Sequence, residues 1–244
     1  MNKQLSPVVN TGGAQRLGLA AALALNEENY QVVVTYRKPR QILGELQHAG
    51  INTMQADFSS VEGILRFTEQ LNSRFSSLRA IIHNASEWLP ESGEHADRYV
   101  LQRMLIVHVT APYLINQECG FSLRRHGEVQ HCSDIIHMSA YVASIDSKKH
   151  IAYAGSKAAI ENFTLSFASK YAPLVEVNSI APALLMFNQT DEDAYREKAK
   201  NKSLLRIVPG EVEGVNAIRY LLESRYLTGK TIALDGGRHL AQAS

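Results

Sequence analysis

Tyr153 and Lys157 stand four residues apart in the run Tyr153-Ala-Gly-Ser-Lys157. On a helix that spacing places them one turn apart on the same face. A free phenol has a pKa of about 10 and holds its proton near neutral pH. An ammonium one turn away favours the phenolate and lowers that pKa. Such a tyrosine can donate a proton to a substrate and recover it. A half-buried tyrosine beside a solvated lysine has the same spacing and no chemistry. Context favours chemistry. Ala154, Gly155, Ser156, Ala158 and Ala159 let a flat group lie close to this helix, and a glycine-rich turn opens the chain.

That turn is Thr11-Gly-Gly-Ala-Gln-Arg16-Leu-Gly18. Glycines at a strand-to-helix junction allow a tight turn and the close approach of a pyrophosphate, which the helix N-terminus then holds. An ordinary connecting loop is the alternative. Arg16 is a bulky cation in a loop suited to close approach. It fits a surface ion pair and a clamp on phosphate or substrate equally well. A second junction reads Tyr36-Arg-Lys-Pro-Arg40. An NAD site usually has an acid here for the ribose hydroxyls. Arg37, Lys38 and Arg40 stand there instead, at the start of a helix, where the dipole disfavours cations. A 2′-phosphate accounts for them, so the expected cofactor is NADP(H).

The elements that position these residues alternate along the chain. Strand-like runs fall at 7–10, 31–36, 52–57, 80–83, 134–139, 175–181 and 231–234. Helical stretches fall at about 17–29, 39–49, 61–74, 97–125, around Tyr153, and at 210–223, with a polar insertion over about 186–203. Continuous apolar strands alternating with helices imply a parallel sheet covered on both faces. The expected fold is α/β, a Rossmann-like doubly wound sheet whose ligands bind at the carboxyl ends of the strands.

Composition bounds the function. The 244 residues are enough for a substantial core, and the apolar and charged fractions, 45% and 20%, are those of a soluble globular chain. A net charge of +1 gives no sign of nucleic acid or an anionic membrane as partner. The start, Met1 to Pro7, does not read as a signal peptide, and no run of about 18 apolar residues occurs. Cys119 and Cys132 have no metal or redox spacing, and the nine histidines contain no His-x-x-x-His pair. No metal is expected, and a reducing cytoplasm is the simplest setting.

Thr11-Gly12…Gly18, Asp57, Asn84-Ala85, Tyr153-x-x-x-Lys157, Asn178-Ser-Ile-Ala-Pro182 and Asp235-Gly-Gly237 together resemble the short-chain dehydrogenase/reductase superfamily over nearly the whole chain. Arg16, Asn84-Ala-Ser86-Glu-Trp88 and Asp235-Gly-Gly-Arg-His-Leu240 resemble its pteridine reductase branch. The resemblance implies one domain, with a cofactor half over about 1–130 and a catalytic and substrate half over about 131–244. It implies NADPH-dependent reduction of a dihydropterin, and a homo-oligomer, typically a tetramer. Gly12, Arg16, Leu17 and Gly18 would hold the pyrophosphate side of the cofactor, and Arg37 the 2′-phosphate. Asp57 and Phe58 would border the adenine, Asn84 the adjoining ribose, and Pro182 the cofactor from the sixth strand's end. Lys157 would bind the nicotinamide ribose and tune Tyr153 as the catalytic acid. Arg16, Ser86, Trp88 and Tyr153 would meet the pterin, with Trp88 stacked on it. A large indole face gains from an offset-stacked heteroaromatic. A plug beneath the following loop is the other use of such a tryptophan.

Two positions depart from the family pattern. Thirteen residues before the tyrosine, where a serine or aspartate is usual, stands Ala140. Ser139 is adjacent, but neighbouring strand residues face opposite sides, so it could substitute only across a bulge. Four residues before Pro112, where an asparagine is usual, stands His108. A histidine can pass a proton through water or be a satisfied structural group.

Overall fold

The computed structural model describes residues 6–91, 97–130 and 132–241. Residues 1–5, which include most of the start read above for a signal peptide, lie outside them. The elements run β1 (Val8–Asn10), α1 (Arg16–Glu27), β2 (Val32–Tyr36), α2 (Ile42–His48), β3 (Asn52–Gln55), α3 (Val61–Arg74) and β4 (Ala80–His83). The second part runs α4 (Asp97–Leu105), α5 (Ala111–Gln130), β5 (Ser133–Met138), α6 (Ile151–Tyr171), β6 (Val175–Pro182), α7 (Asp193–Lys200), α8 (Glu211–Glu223), β7 (Thr231–Leu234) and α9 (Arg238–Ala241).

All seven strands pair in parallel, in the order β3-β2-β1-β4-β5-β6-β7. The expected doubly wound α/β sheet is what forms. Alternate residues of each strand feed two separate cores. Val8, Val34, Ile82, Ile136 and Ile180 pack with α1 and α8 on one face. Val9, Val33, Ile81, Ile135 and Val177 pack with α3, α5 and α6 on the other. Apolar demand on both faces is why the strands read as unbroken apolar runs.

Three local readings are corrected. The helical stretch 97–125 is two helices, α4 and α5, joined by a π-helical turn at Ile106–Thr110, and α5 extends to Gln130. Pro112 follows that turn, and its missing N–H cannot bond the carbonyl four residues back, at His108. A widened turn is a common answer to such a break. The polar insertion 186–203 contains α7, whose Asp193 in the first turn and Lys198 and Lys200 in the last complement the helix dipole. The helix expected at 39–49 begins at Ile42, so Arg37, Lys38 and Arg40 occupy the loop before it.

Candidate active site

The strand order reverses between β1 and β4, which splays the two following loops and opens a crevice at the strands' carboxyl ends. A cleft of about 780 Å³ fills that crevice. Gly12, Arg16, Leu17, Gly18, Arg37, Asp57, Phe58, Asn84, Ser86, Trp88, Tyr153 and Pro182 all line it. Residues scattered from position 12 to position 182 are thus gathered in one place.

The glycine turn is held from both neighbouring strands. Gly12 N–H donates to Thr35 Oγ1 at 2.9 Å, and Gly13 N–H to the Thr35 carbonyl at 3.1 Å. Asn84 Nδ2 donates to the Thr11 and Gly12 carbonyls, each at 3.1 Å, while Ala85 N–H reaches Thr11 Oγ1 at 3.0 Å. Gly12 has φ +66°, and a Cβ there would lie 2.8 Å from the Ala85 Cα. A Cβ on Gly18 would lie 2.4 Å from Asn84 Nδ2. Both positions therefore require glycine for close approach. Gln15 caps α1 without a side-chain bond, and Arg16, Leu17 and Gly18 of its first turn line the cleft. Arg16 is exposed with φ +52°, a left-handed conformation that costs a non-glycine residue energy. Its Nη1 donates to Asn188 Oδ1 at 2.8 Å, and among the described residues it forms no ion pair. The geometry thus places Arg16 on the cleft wall, bonded to a side-chain amide.

Arg37, Lys38 and Arg40 line the opposite wall. Arg37 is paired with Glu87 at 3.2 Å, and Glu87 is also paired with Arg103. Asp57 is exposed to the cleft and accepts the Ser59 N–H at 3.0 Å. Burial works to raise its pKa, but the Ser59 hydrogen bonds and the charges of Arg37 and Arg103 outweigh it and hold the carboxyl below its usual value. Phe58 is buried, edge-on to Phe67 at 5.3 Å. Trp88 is 53% exposed at the cleft, edge-on to His150 at 5.1 Å. Most of the following loop that it could plug, residues 92–96, lies outside the described residues.

Lys157 is only 4% exposed and, unlike Tyr153, is not among the residues that line the cleft. Its Nζ donates to the Met138 carbonyl at 2.7 Å and lies 5.6 Å from the Tyr153 ring centre. Burial brings its pKa down to about 8. The expectation that Lys157 lowers the Tyr153 pKa is overturned. Burial raises the phenol's pKa, and the only opposing influence is a hydrogen bond with Ser86. Tyr153 is accordingly a protonated donor across the neutral range.

Ser139 does not substitute at position 140. The strand runs on without a bulge, Ser139 N–H bonding the Ile180 carbonyl at 2.8 Å. The Ser139 hydroxyl donates to Glu161 Oε1 at 2.8 Å, on the α6 side. His108 is buried on the π turn, bonded through Nδ1 to Ser156 Oγ at 2.9 Å and through Nε2 to Ser86 Oγ at 2.9 Å. Burial, and then the Lys157 charge, bring its pKa down to about 2.

Sequence reasoning missed Thr35, Glu87, Asn188 and the loop residues Leu184 and Met186, all of which line the cleft. Thr35 carried a usable signal, a lone hydroxyl at the end of a β-branched run. The other partners join positions far apart in sequence. It also missed Cys132, Asp134 and Glu176, whose ligand-type atoms lie within 4.8 Å of one another near the amino ends of β5 and β6. Arg79 is paired with Asp134 there and supplies the cation.

A family model described as Enoyl-(Acyl carrier protein) reductase matches residues 12–239. The chain is 49% identical over 238 residues to a protein named dihydromonapterin reductase from Klebsiella pneumoniae, covering 98% of each chain. It is 46% identical over 239 residues to one of the same name from Escherichia coli, covering 98% of this chain and 99% of that one. Among solved structures it is similar to FolM alternative dihydrofolate reductase 1 from Brucella suis in complex with NADP. The TM-score is 0.84 at 26% identity, over 96% of this chain and 95% of that one.

Proposed function

The chain belongs to the short-chain dehydrogenase/reductase family, and within it we propose NADPH-dependent reduction of the carbon–nitrogen double bond of a dihydropterin. Dihydromonapterin is the first substrate to test, following the relatives' name, and dihydrofolate the second, following that of the Brucella protein. One observation carries the assignment: Trp88, the chain's only tryptophan, stands exposed at the rim of the cleft that also holds Tyr153. An indole face so placed suits a flat heterocycle.

The residues fit the cofactor. Added Cβ atoms at Gly12 and Gly18 would fill the cradle beside Asn84. The Arg37, Lys38 and Arg40 cations offer charge-assisted bonds to a 2′-phosphate. NADPH bound there supplies hydride to the reacting carbon. Gly12, Arg16, Leu17 and Gly18 hold its pyrophosphate side, and Asp57, Phe58, Asn84 and Pro182 border the rest. Lys157, whose Nζ lies 5.6 Å from the Tyr153 ring centre, would bind the nicotinamide ribose and place a positive charge beside Tyr153. Tyr153 gives its proton to the substrate nitrogen, while Arg16 and Ser86 orient the pterin against Trp88. Both cysteines are free and buried, in keeping with a cytoplasmic setting. No helix among the described residues is long and apolar enough to cross a membrane. A homotetramer belongs to the same reading.

NADPH oxidation with dihydromonapterin, dihydrofolate and a panel of ketones and imines tests it. Dihydropterin turnover well above the rest is the expected result. Preference for a ketone would make the chain a carbonyl reductase. Ala140, which lacks the usual hydroxyl, supports a second reading as a cofactor-binding protein, and turnover of none of the panel would favour it.

A further inference from the structure

One of the two departures noted in sequence, His108, belongs to a hydrogen-bonded network beside Tyr153. His108 Nε2 receives the Glu87 backbone N–H at 3.2 Å and faces Ser86 Oγ at 2.9 Å. A backbone N–H can only donate, so Nε2 is the unprotonated nitrogen and the ring proton sits on Nδ1. Nδ1 then donates to Ser156 Oγ at 2.9 Å, and the Ser156 hydroxyl donates to the Tyr153 carbonyl at 2.7 Å. With Nε2 accepting, the Ser86 hydroxyl must donate to it, which leaves the Ser86 oxygen free to accept the Tyr153 phenol proton. The His108 ring stands edge-on to the Tyr153 ring at 5.4 Å. Starting at Ser86, the chain of bonds passes through His108 and Ser156 to the backbone carbonyl of Tyr153, and a Ser86 side-chain hydrogen bond is the one influence that lowers the phenol's pKa.

We propose that Ser86, oriented by His108, is the hydroxyl partner of the Tyr153 phenol and takes the role left open by Ala140. This rests on the reductase reading above. At rest Ser86 accepts from the phenol and fixes its direction. When Tyr153 gives its proton to the substrate nitrogen, the phenolate needs a donor. The Ser86 hydroxyl can rotate to it, because the Glu87 N–H still satisfies His108 Nε2. Water reprotonates the phenolate afterwards. Ser86 is thus a catalytic residue and His108 a positioning residue. Neutrality is what His108 needs for this, since an imidazolium would have no lone pair for Ser86. Burial and the nearby Lys157 charge keep it neutral.

The test uses whichever substrate the wild type reduces. Ser86→Ala should lower kcat about 10-fold or more with KM for NADPH unchanged, and Ser86→Thr should recover part of the loss. His108→Leu should show a similar loss, and the double variant should be no worse than either single, because the two act as a unit. Adding Ala140→Ser to Ser86→Ala should raise kcat again. Ser86→Ala that raises only the pterin KM, or losses that add, would overturn the proposal. Should His108→Leu fail to fold, Ser86→Ala with its Thr and Ala140→Ser rescues decides alone. If the wild type turns over nothing, the reductase reading fails but Ser86 can still be read. Spectroscopic titration of Tyr153 should then give a higher phenol pKa in Ser86→Ala than in wild type. An unchanged pKa would overturn the hydroxyl partnership.

Discussion

Arg37 donates to Glu87 at 3.2 Å and so joins the loop after β2 to the loop that carries Trp88. The cation assigned to the 2′-phosphate is therefore already held by a carboxylate, which itself is shared with Arg103. Arg37→Ala should weaken NADPH binding about 10- to 100-fold and leave NADH binding nearly unchanged, the worth of a charge-assisted bond. Glu87→Gln removes the competing charge and should tighten NADPH. Calorimetric titration with both cofactors checks this. Equal wild-type affinity for NADPH and NADH would refute the role of the basic loop.

Tyr153→Phe keeps the ring and removes the proton. It should lower kcat by roughly 10²-fold or more while NADPH affinity stays intact. Unchanged turnover would move the proton to a water beside Arg16.

The pH profile follows from Lys157. Its pKa, brought down by burial to about 8, means it is charged below that value and loses its charge above it. In the proposed role the charge favours cofactor capture, so kcat/KM for NADPH should fall as pH rises through about 8. The parameter reports the free enzyme. His108, at about 2, stays neutral throughout and contributes no limb near the usual histidine value. A flat profile between pH 7 and 9 would contradict the assignment.

The sheet was legible because its strands are unbroken apolar runs, and the glycine turn because Gly12 and Gly18 mark it. Much of the site could not be read that way. Burial decides the direction of the Tyr153 pKa, and spacing on a helix says nothing about burial. Glu87 joins Arg37 across 50 positions, and Ser86 meets His108 across 22. The π turn at Ile106–Thr110 answers Pro112, but a periodicity of 3.6 carries through it and hides the register shift. The small helix α7 escaped because its polar residues stabilise its ends and leave little apolar periodicity.

Trp88→Ala should raise KM for the dihydropterin and leave NADPH affinity nearly intact. Stacking on a bound ring contributes on the order of 1 kcal/mol beyond area burial, or about fivefold. The chain has one tryptophan, so quenching of its emission by pterin reports this site alone. No quenching together with an unchanged KM would return Trp88 to a structural role at the rim.

Ala140 is 8% exposed in extended backbone, directly after a serine whose hydroxyl is bonded to Glu161. Strand alternation turns position 140 to the side opposite Ser139. Ala140→Ser places a hydroxyl where the family usually has one, and Ala140→Asp imitates the pteridine reductases. The serine is a small change, whereas an unpaired buried carboxylate costs stability, so the Asp variant should unfold at lower temperature. With Ser86 already serving the phenol, neither change should move dihydropterin turnover by more than about threefold, under 1 kcal/mol of barrier. Oxidised pterins and simple ketones depend more on positioning, and their turnover should rise by a larger factor. Steady-state rates on the three substrate classes decide it. A wild type inert on all of them, activated by Ala140→Ser, would make the natural chain a binding protein. Rates unchanged on every class would show that the proton path does not pass through position 140 in either form.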